Sequence, residues 1–190
     1  MIVMKRNRAR SGRRVVVTGL GVVSSLGIGW EEFWKNLMAG KSGISKITSF
    51  DVSKHNRQYG GEVRGFDPAK LISKVKLKEM GKASQFAVAA AKLAIKDAGL
   101  SVEDLRASGA GVCIGTTMGE SQVVEQIVKH TLVNKEEVRE NRVLLYPANS
   151  ISANVGRYFK LTGENLIFAN ACAAGKRADR SHAADDASVP

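Results

Sequence analysis

The chain has 190 residues, 44% of them hydrophobic and 25% charged, with a formal net charge of +11 at pH 7. That length allows one ordinary domain with a buried core, and that balance is typical of a water-soluble globular chain. No apolar run approaches the roughly 18 residues of a membrane span, which excludes a helical membrane protein.

The positive charge calls for an acidic partner. Nucleic acid is the common choice, but the basic residues are scattered and no aromatic-interleaved basic stripe occurs. An acidic protein accounts for the charge equally well. Residues 1–12 form a basic leader, which with Arg13 and Arg14 runs directly into Val15-Val16-Val17. It has no apolar core or small-residue cleavage site, so it reads as a solvated leader and the expected address is cytoplasmic. Cys113 and Cys172 lie far apart without CxxC spacing. Neither a zinc site, another metal or cofactor site, nor a disulfide framework is indicated.

Along the chain, Arg13 to Thr18 is a short β-branched run that predicts a buried strand, turned by Gly19-Leu20-Gly21. Trp30, Phe33, Trp34, Leu37 and Met38 have helical spacing, closed by Gly40. Residues 41–58 read as loop and Tyr59 to Val63 as a short strand. Met80 to Ala98 is the clearest helix, with Gly99 placed for a left-handed C-cap. Ser101 and Asp104 outline a capping box for another turn. Ala110 to Ile114 is a second apolar strand, followed by the loop Gly115-Thr116-Thr117-Met118-Gly119. Glu120 to Leu132 reads as a helix, and Pro147 opens a further segment, Asn149 to Phe159, with apolar Ile151, Ala153, Val155 and Phe159. Leu166 to Ala169 is a third strand, and it runs directly into Asn170-Ala171-Cys172-Ala173-Ala174-Gly175. Strands separated by helical patterns give a layered α/β fold. Residues 176–190 hold no Leu, Ile, Phe or Met and a single Val, and read as a disordered polar tail.

Cys172 sits where a strand ends in small residues. Such a turn exposes a sulfur, and the N–H groups of a helix starting there would stabilise a thiolate and contribute to an oxyanion hole. The residue types equally allow a small, packed, inert cysteine. Cys113, inside an apolar strand, reads as packing. Gly19-Leu20-Gly21-Val22-Val23-Ser24 follows a strand loosely in the manner of a dinucleotide-binding loop, but Ser24 replaces the third glycine and the acidic partner residue is missing. It reads as a structural turn.

Several blocks, in order, resemble one family. Arg13 to Gly27 (RRVVVTGLGVVSSLG) resembles the opening of the beta-ketoacyl-carrier-protein synthases. Phe33-Trp34-Lys35, Leu37, Gly40-Lys41-Ser42-Gly43-Ile44, Ile47, Phe50 and Asp51 continue the likeness. So do Met80 with Gln85-Phe86-Ala87, Gly115 to Glu120, Asn149 to Gly163, and Asn170 to Gly175. The resemblance implies a thiolase-like fold of two similar halves, each a mixed five-stranded sheet layered with helices. Residues 13–175 correspond to the N-terminal half. It implies that Cys172 takes an acyl group from a carrier protein as a thioester, before decarboxylative condensation with malonyl-carrier protein. Acyl groups travel on the carrier's phosphopantetheine, so no cofactor of the chain's own is implied. The pathway implied is fatty-acid or polyketide biosynthesis.

The resemblance further implies that Met118 lies at the wall of the acyl pocket, against the plain alternative of an ordinary core methionine. Lys74, Lys76, Lys78 and Lys82 become a dock for the acidic acyl carrier protein; otherwise they are a solvated charged face. The family's homodimer interface runs near Asn149-Ser150 and Leu166 to Ala169. Its condensing histidines lie in His-Gly-Thr and Gly-His motifs of the second half. His55, His130 and His182 are in neither motif. The family also continues from Lys176 with a buried apolar helix, where this chain has its polar tail. The expectation is therefore a truncated synthase, inactive in condensation by itself. The alternatives are an inert fragment, a non-catalytic partner subunit, or a fragment of a modular polyketide synthase.

Overall fold

The computed structural model describes residues 2–4, 15–73, 77, 79–135 and 147–178. Its strands are β1 (Ile2–Met4), β2 (Val17–Leu20), β3 (Val23–Ser24), β4 (Gly27–Ile28), β5 (Ser45–Lys46), β6 (Tyr59–Gly60), β7 (Val112–Gly115) and β8 (Asn165–Phe168). Its helices are α1 (Trp30–Met38), α2 (Lys82–Asp97), α3 (Val102–Ala107), α4 (Ser121–Val128) and α5 (Asn149–Phe159). A π-helical turn, Lys129–Val133, extends α4.

The helix α2 is central because its buried face is built of small and apolar residues, with Lys82, Lys92, Lys96 and Asp97 left exposed. Ser84, Val88, Ala89, Ala91, Ala94 and Ile95 are all buried. Small side chains let neighbouring backbones come close, and two elements do so on different sides. The helix α5 buries Ile151, Val155 and Phe159, spaced four residues apart on one face, and brings Val155 and Phe159 into a common core with Val88, Ala91 and Val112. The strand β2 lies on the alanine stripe: a Cβ at Gly19 would fall within 2.8 Å of Ala98, and one at Gly21 would strike the Ala90 carbonyl. These two glycines are therefore conditions of close packing, and Gly19 and Leu20 belong to the strand rather than to a turn. The capping box at Ser101 and Asp104 forms as expected, and Gly99 is left-handed with φ +63. The last carbonyl of α5, on Phe159, accepts from Arg106 Nε at 2.8 Å. Asp97 ties two elements to the far end of α2, accepting from the Leu20 amide at 2.8 Å and Trp30 Nε1 at 2.7 Å.

Other features also differ from the sequence expectation, among them the strand β1, paired with β2 inside the expected solvated leader. Val15, Val16 and Val17 are 43–54% exposed rather than buried. Among the described residues the strand that follows them meets α2 on one side and pairs only with β1, so the valines have no second cover. Also, the strands of the described residues pair two by two, β1–β2, β3–β4, β5–β6 and β7–β8, instead of joining in one five-stranded sheet. Packing of β2 on α2, of α2 on α5, and of β7 and β8 on α5 connects the first and last pairs in place of hydrogen bonds.

The segment 41–65 is held by polar contacts. Within the expected loop, β5 pairs with β6. Glu62 then accepts from the Thr48 amide and hydroxyl and from the Ser49 amide, at 2.9–3.1 Å. Those hydrogen bonds favour the ionised form and hold its carboxyl at about 2.

Candidate active site

The strands β7 and β8 run parallel, with Val112 opposite Asn165, Cys113 opposite Leu166, Ile114 opposite Ile167 and Gly115 opposite Phe168. The ladder gains one more bond beyond its end, from the Thr116 amide to the Phe168 carbonyl at 3.0 Å. Two loops then leave the same carboxyl end side by side. One is 116–120, which carries Met118; the other is 169–173, which carries Cys172. The carboxyl ends of parallel strands are where α/β proteins collect their sites, since the loops there converge while the strands hold them rigid.

Cys172 is exposed, in the middle of a 3-10 turn over Ala171–Ala173. The turn is closed by the Ala173 amide donating to the Asn170 carbonyl at 3.1 Å. Ala171 is left-handed, with φ +46. That conformation costs an alanine roughly 1–2 kcal/mol. It reverses the chain sharply between strand and helix and so lifts the following residue, Cys172, out of the sheet. Residues 174–178 are helical. A Cβ on Gly115 would strike the Ala174 backbone and lie 2.6 Å from the Gly175 nitrogen. Only glycine at the end of β7 lets the start of this helix sit directly on the sheet.

That helix corrects the reading of the tail. Residues 176–178 continue the helix past Gly175, and Ala178 is buried like Ala174. Alanines four apart make a narrow apolar face that a search for large apolar residues misses. Residues 179–190, including His182, lie outside the described residues.

The other expected site residues are distributed unevenly. Met118 is 74% exposed at the tip of its loop, so in this chain it stands in solvent. Cys113 is half-buried within β7. Lys82 is exposed as the first residue of α2, its Nζ 5.9 Å from the centre of the Phe86 ring. Lys74, Lys76 and Lys78 lie outside the described residues. His55 sits edge-on to Phe50 in the 51–58 segment, and His130 is in the π-helical turn. A depression of about 420 Å³ lined by Ser73, Lys92, Ile95, Arg106 and Tyr158 shares no residue with the Cys172 turn. Its cations are occupied, Lys92 by the Leu71 carbonyl and Arg106 by Phe159. Among the described residues no helix is long and apolar enough to cross a membrane.

Sequence reasoning missed Glu120. It is 2% exposed, the only buried charged side chain among the described residues. Its carboxylate accepts from the Ala83 amide at 3.0 Å and the Ser84 amide at 2.7 Å, at the start of α2. The one available signal was negative: α2 begins with Gly81 and Lys82, which supply no capping side chain.

Comparison with known proteins places this architecture. The ishigamide ketosynthase/chain length factor superposes with a TM-score of 0.72 at 35% identity, over 82% of this chain and 39% of that one. The ketosynthase in the AntDE:AntF complex with its type II PKS acyl-carrier protein gives 0.69 at 28% identity, over 90% and 42%. The fold is thus the thiolase-like α/β fold of the ketosynthases, seen over their N-terminal portion. The N-terminal-domain model of the beta-ketoacyl synthases matches residues 12–185, and the chain belongs to that family. The 3-oxoacyl-[acyl-carrier-protein] synthase 2 of Synechocystis sp. is 36% identical over 169 residues, 87% of this chain. The chain spans about 40% of that relative's length.

Proposed function

We propose that this chain is the acyl-accepting half of a 3-oxoacyl-[acyl-carrier-protein] synthase of fatty-acid or polyketide biosynthesis, with Cys172 as its nucleophile. The observation that carries this is the exposed cysteine on a left-handed turn at the carboxyl end of a parallel strand pair, in a chain of this family. The Cys172 thiolate attacks the carbonyl carbon of an acyl thioester, a C–S bond forms, and the carrier's phosphopantetheine thiolate leaves. One thioester replaces another, so the step needs positioning and oxyanion stabilisation rather than a cofactor. Condensation with malonyl-carrier protein belongs to the whole enzyme. The histidines that serve it in the family lie in the length of the relatives that this chain does not span.

An acidic acyl carrier protein fits the net charge of +11 and the lysines from Lys74 to Lys82, with Lys82 exposed at the start of α2. Such charges act mainly on the rate of encounter. The AntDE:AntF complex supports the choice of partner, since there a carrier protein is bound to a related ketosynthase. A homodimer would use β8, which among the described residues pairs only with β7. The test is incubation with an acyl-carrier protein followed by peptide mass mapping. We expect an acyl adduct on Cys172 that is absent from Cys172→Ser. A chain with native helix content that gains no adduct would contradict the proposal.

A further inference from the structure

Glu120 is a buried carboxylate that the acyl-transfer chemistry leaves unused, and its surroundings are specific. Gly81, the N-cap of α2, is extended at φ −70 and ψ 171 and offers no side chain. Lys82, the next residue, places a cation at the positive end of the helix. The missing cap arrives from Glu120, which lies 36 and 37 residues away from the two amides it binds. A Cβ at Gly81 would collide with the Glu120 carboxyl group, so glycine there is the condition for the acid to enter. Ser84 in turn accepts from Asn154 Nδ2 at 2.9 Å, and Asn154 Oδ1 accepts from Arg157 at 3.3 Å. Arg157 pairs with Glu79 at 3.0 Å. The point at which Glu120 attaches is therefore itself fastened to α5.

Glu120 also ends the loop that carries Met118. That loop is fixed at Thr116 by the Phe168 carbonyl and at Glu120 by the start of α2, with only three residues between. Within it, the Gly119 amide donates to Thr116 Oγ1 at 3.4 Å, and Gly119 is left-handed at φ +57. We propose that Glu120 is a positioning residue: by capping α2 it fixes the 116–119 loop beside the Cys172 turn, and so sets the approach of reagents to the Cys172 thiol. The proposal rests on the acyl-accepting role argued above. It also links the loop to the lysine-bearing end of α2, since Lys82 immediately precedes the two amides that Glu120 binds.

The test separates capping from positioning. In Glu120→Ala, both functions go. In Gly81→Asp combined with Glu120→Ala, an aspartate at the N-cap restores a local cap in the space the acid has left. Three readouts on the 190-residue chain are compared: melting temperature, hydrogen exchange of peptides 82–86 and 116–120, and Cys172 labelling by iodoacetamide against a long-chain N-alkyl iodoacetamide. Glu120→Ala is expected to lower the melting temperature and to speed exchange in both peptides about tenfold, as for loss of a charged hydrogen bond. It also shifts the long-to-short labelling ratio. The double variant recovers the melting temperature and the 82–86 protection, while the 116–120 exchange and the labelling ratio stay altered. Recovery of all readouts together would reduce Glu120 to a cap and overturn the proposal. So would unchanged 116–120 exchange in Glu120→Ala. If Glu120→Ala does not fold, Glu120→Gln, which keeps one oxygen for the Ser84 amide, must still raise 116–120 exchange severalfold. If Cys172 reacts with neither reagent, the acyl-accepting role fails, and the exchange data still decide where Glu120 holds the loop.

Discussion

The α2–α5 helix pair and the rim formed by the 116–120 and 169–173 loops obey opposite rules. In the pair, Val88, Ala91, Ala94 and Val155 have no exposed surface, and Ile151 and Phe159 have almost none. On the rim, Met118 and Cys172 face solvent and Ala171 holds an unfavourable backbone conformation. Glu120 ties the rim to the pair at the start of α2, and Gly115 lets the 174–178 helix sit on β7 behind the Cys172 turn. Stability resides in the helix layer, and the rim is held in a costly shape by it. A reactive side chain must be exposed and fixed at once, and a turn cannot bury enough apolar surface to fix itself.

Four perturbations sharpen that contrast, from the largest expected effect to the smallest. Phe159→Ala removes a buried ring from the pair and should lower unfolding stability by about 3–5 kcal/mol in chemical denaturation. Any gain in Cys172 labelling must then track the unfolded fraction. Gly115→Ala forces a methyl group between β7 and the helix, costing about 1–3 kcal/mol. Labelling of Cys172 in the folded protein should also fall, and unchanged labelling would show that the helix does not support the turn. Ala171→Gly relieves the left-handed strain and should stabilise by about 0.5–1 kcal/mol, after the greater freedom of glycine in the unfolded chain is subtracted. The Cys172 labelling rate should drop as the turn loosens. The smallest effect lies far from both regions. Glu62, held at about 2 against 4.5 when unfolded, contributes stability that is fully present above pH 4.5. That contribution is lost as pH falls through about 2. Melting temperatures measured from pH 5 to pH 2 should fall more steeply for the wild type than for Glu62→Gln. Parallel curves would remove Glu62 from the account.

The helix layer was legible in the sequence because its signals are local. The segment marked out by its apolar residues, Asn149 to Phe159, coincides with α5, where Ile151, Val155 and Phe159 fall on one face. The Ser101–Asp104 capping box and Gly99 mark their helix ends for the same reason. The location of Cys172 was legible too, since a strand runs straight into small residues. What escaped was long-range or ambiguous. A carboxylate capping a helix from 36 residues away has no local signature. A run such as Val15-Val16-Val17 reads alike whether one face of the chain is covered or two. A short helix that buries only Ala174 and Ala178 resembles a polar tail by composition.

On the proposed function, the fold makes Cys172, and not Cys113, the reactive thiol. Cys113 serves as the internal standard, because it is half-buried within β7. The direct measurement is the labelling rate of both cysteines by a cerulenin-type epoxide, read by mass in the folded and in the denatured chain. Cys172 should react faster folded than denatured, while Cys113 should react more slowly folded than denatured. A Cys172 rate no faster in the folded chain than in the denatured one would contradict it.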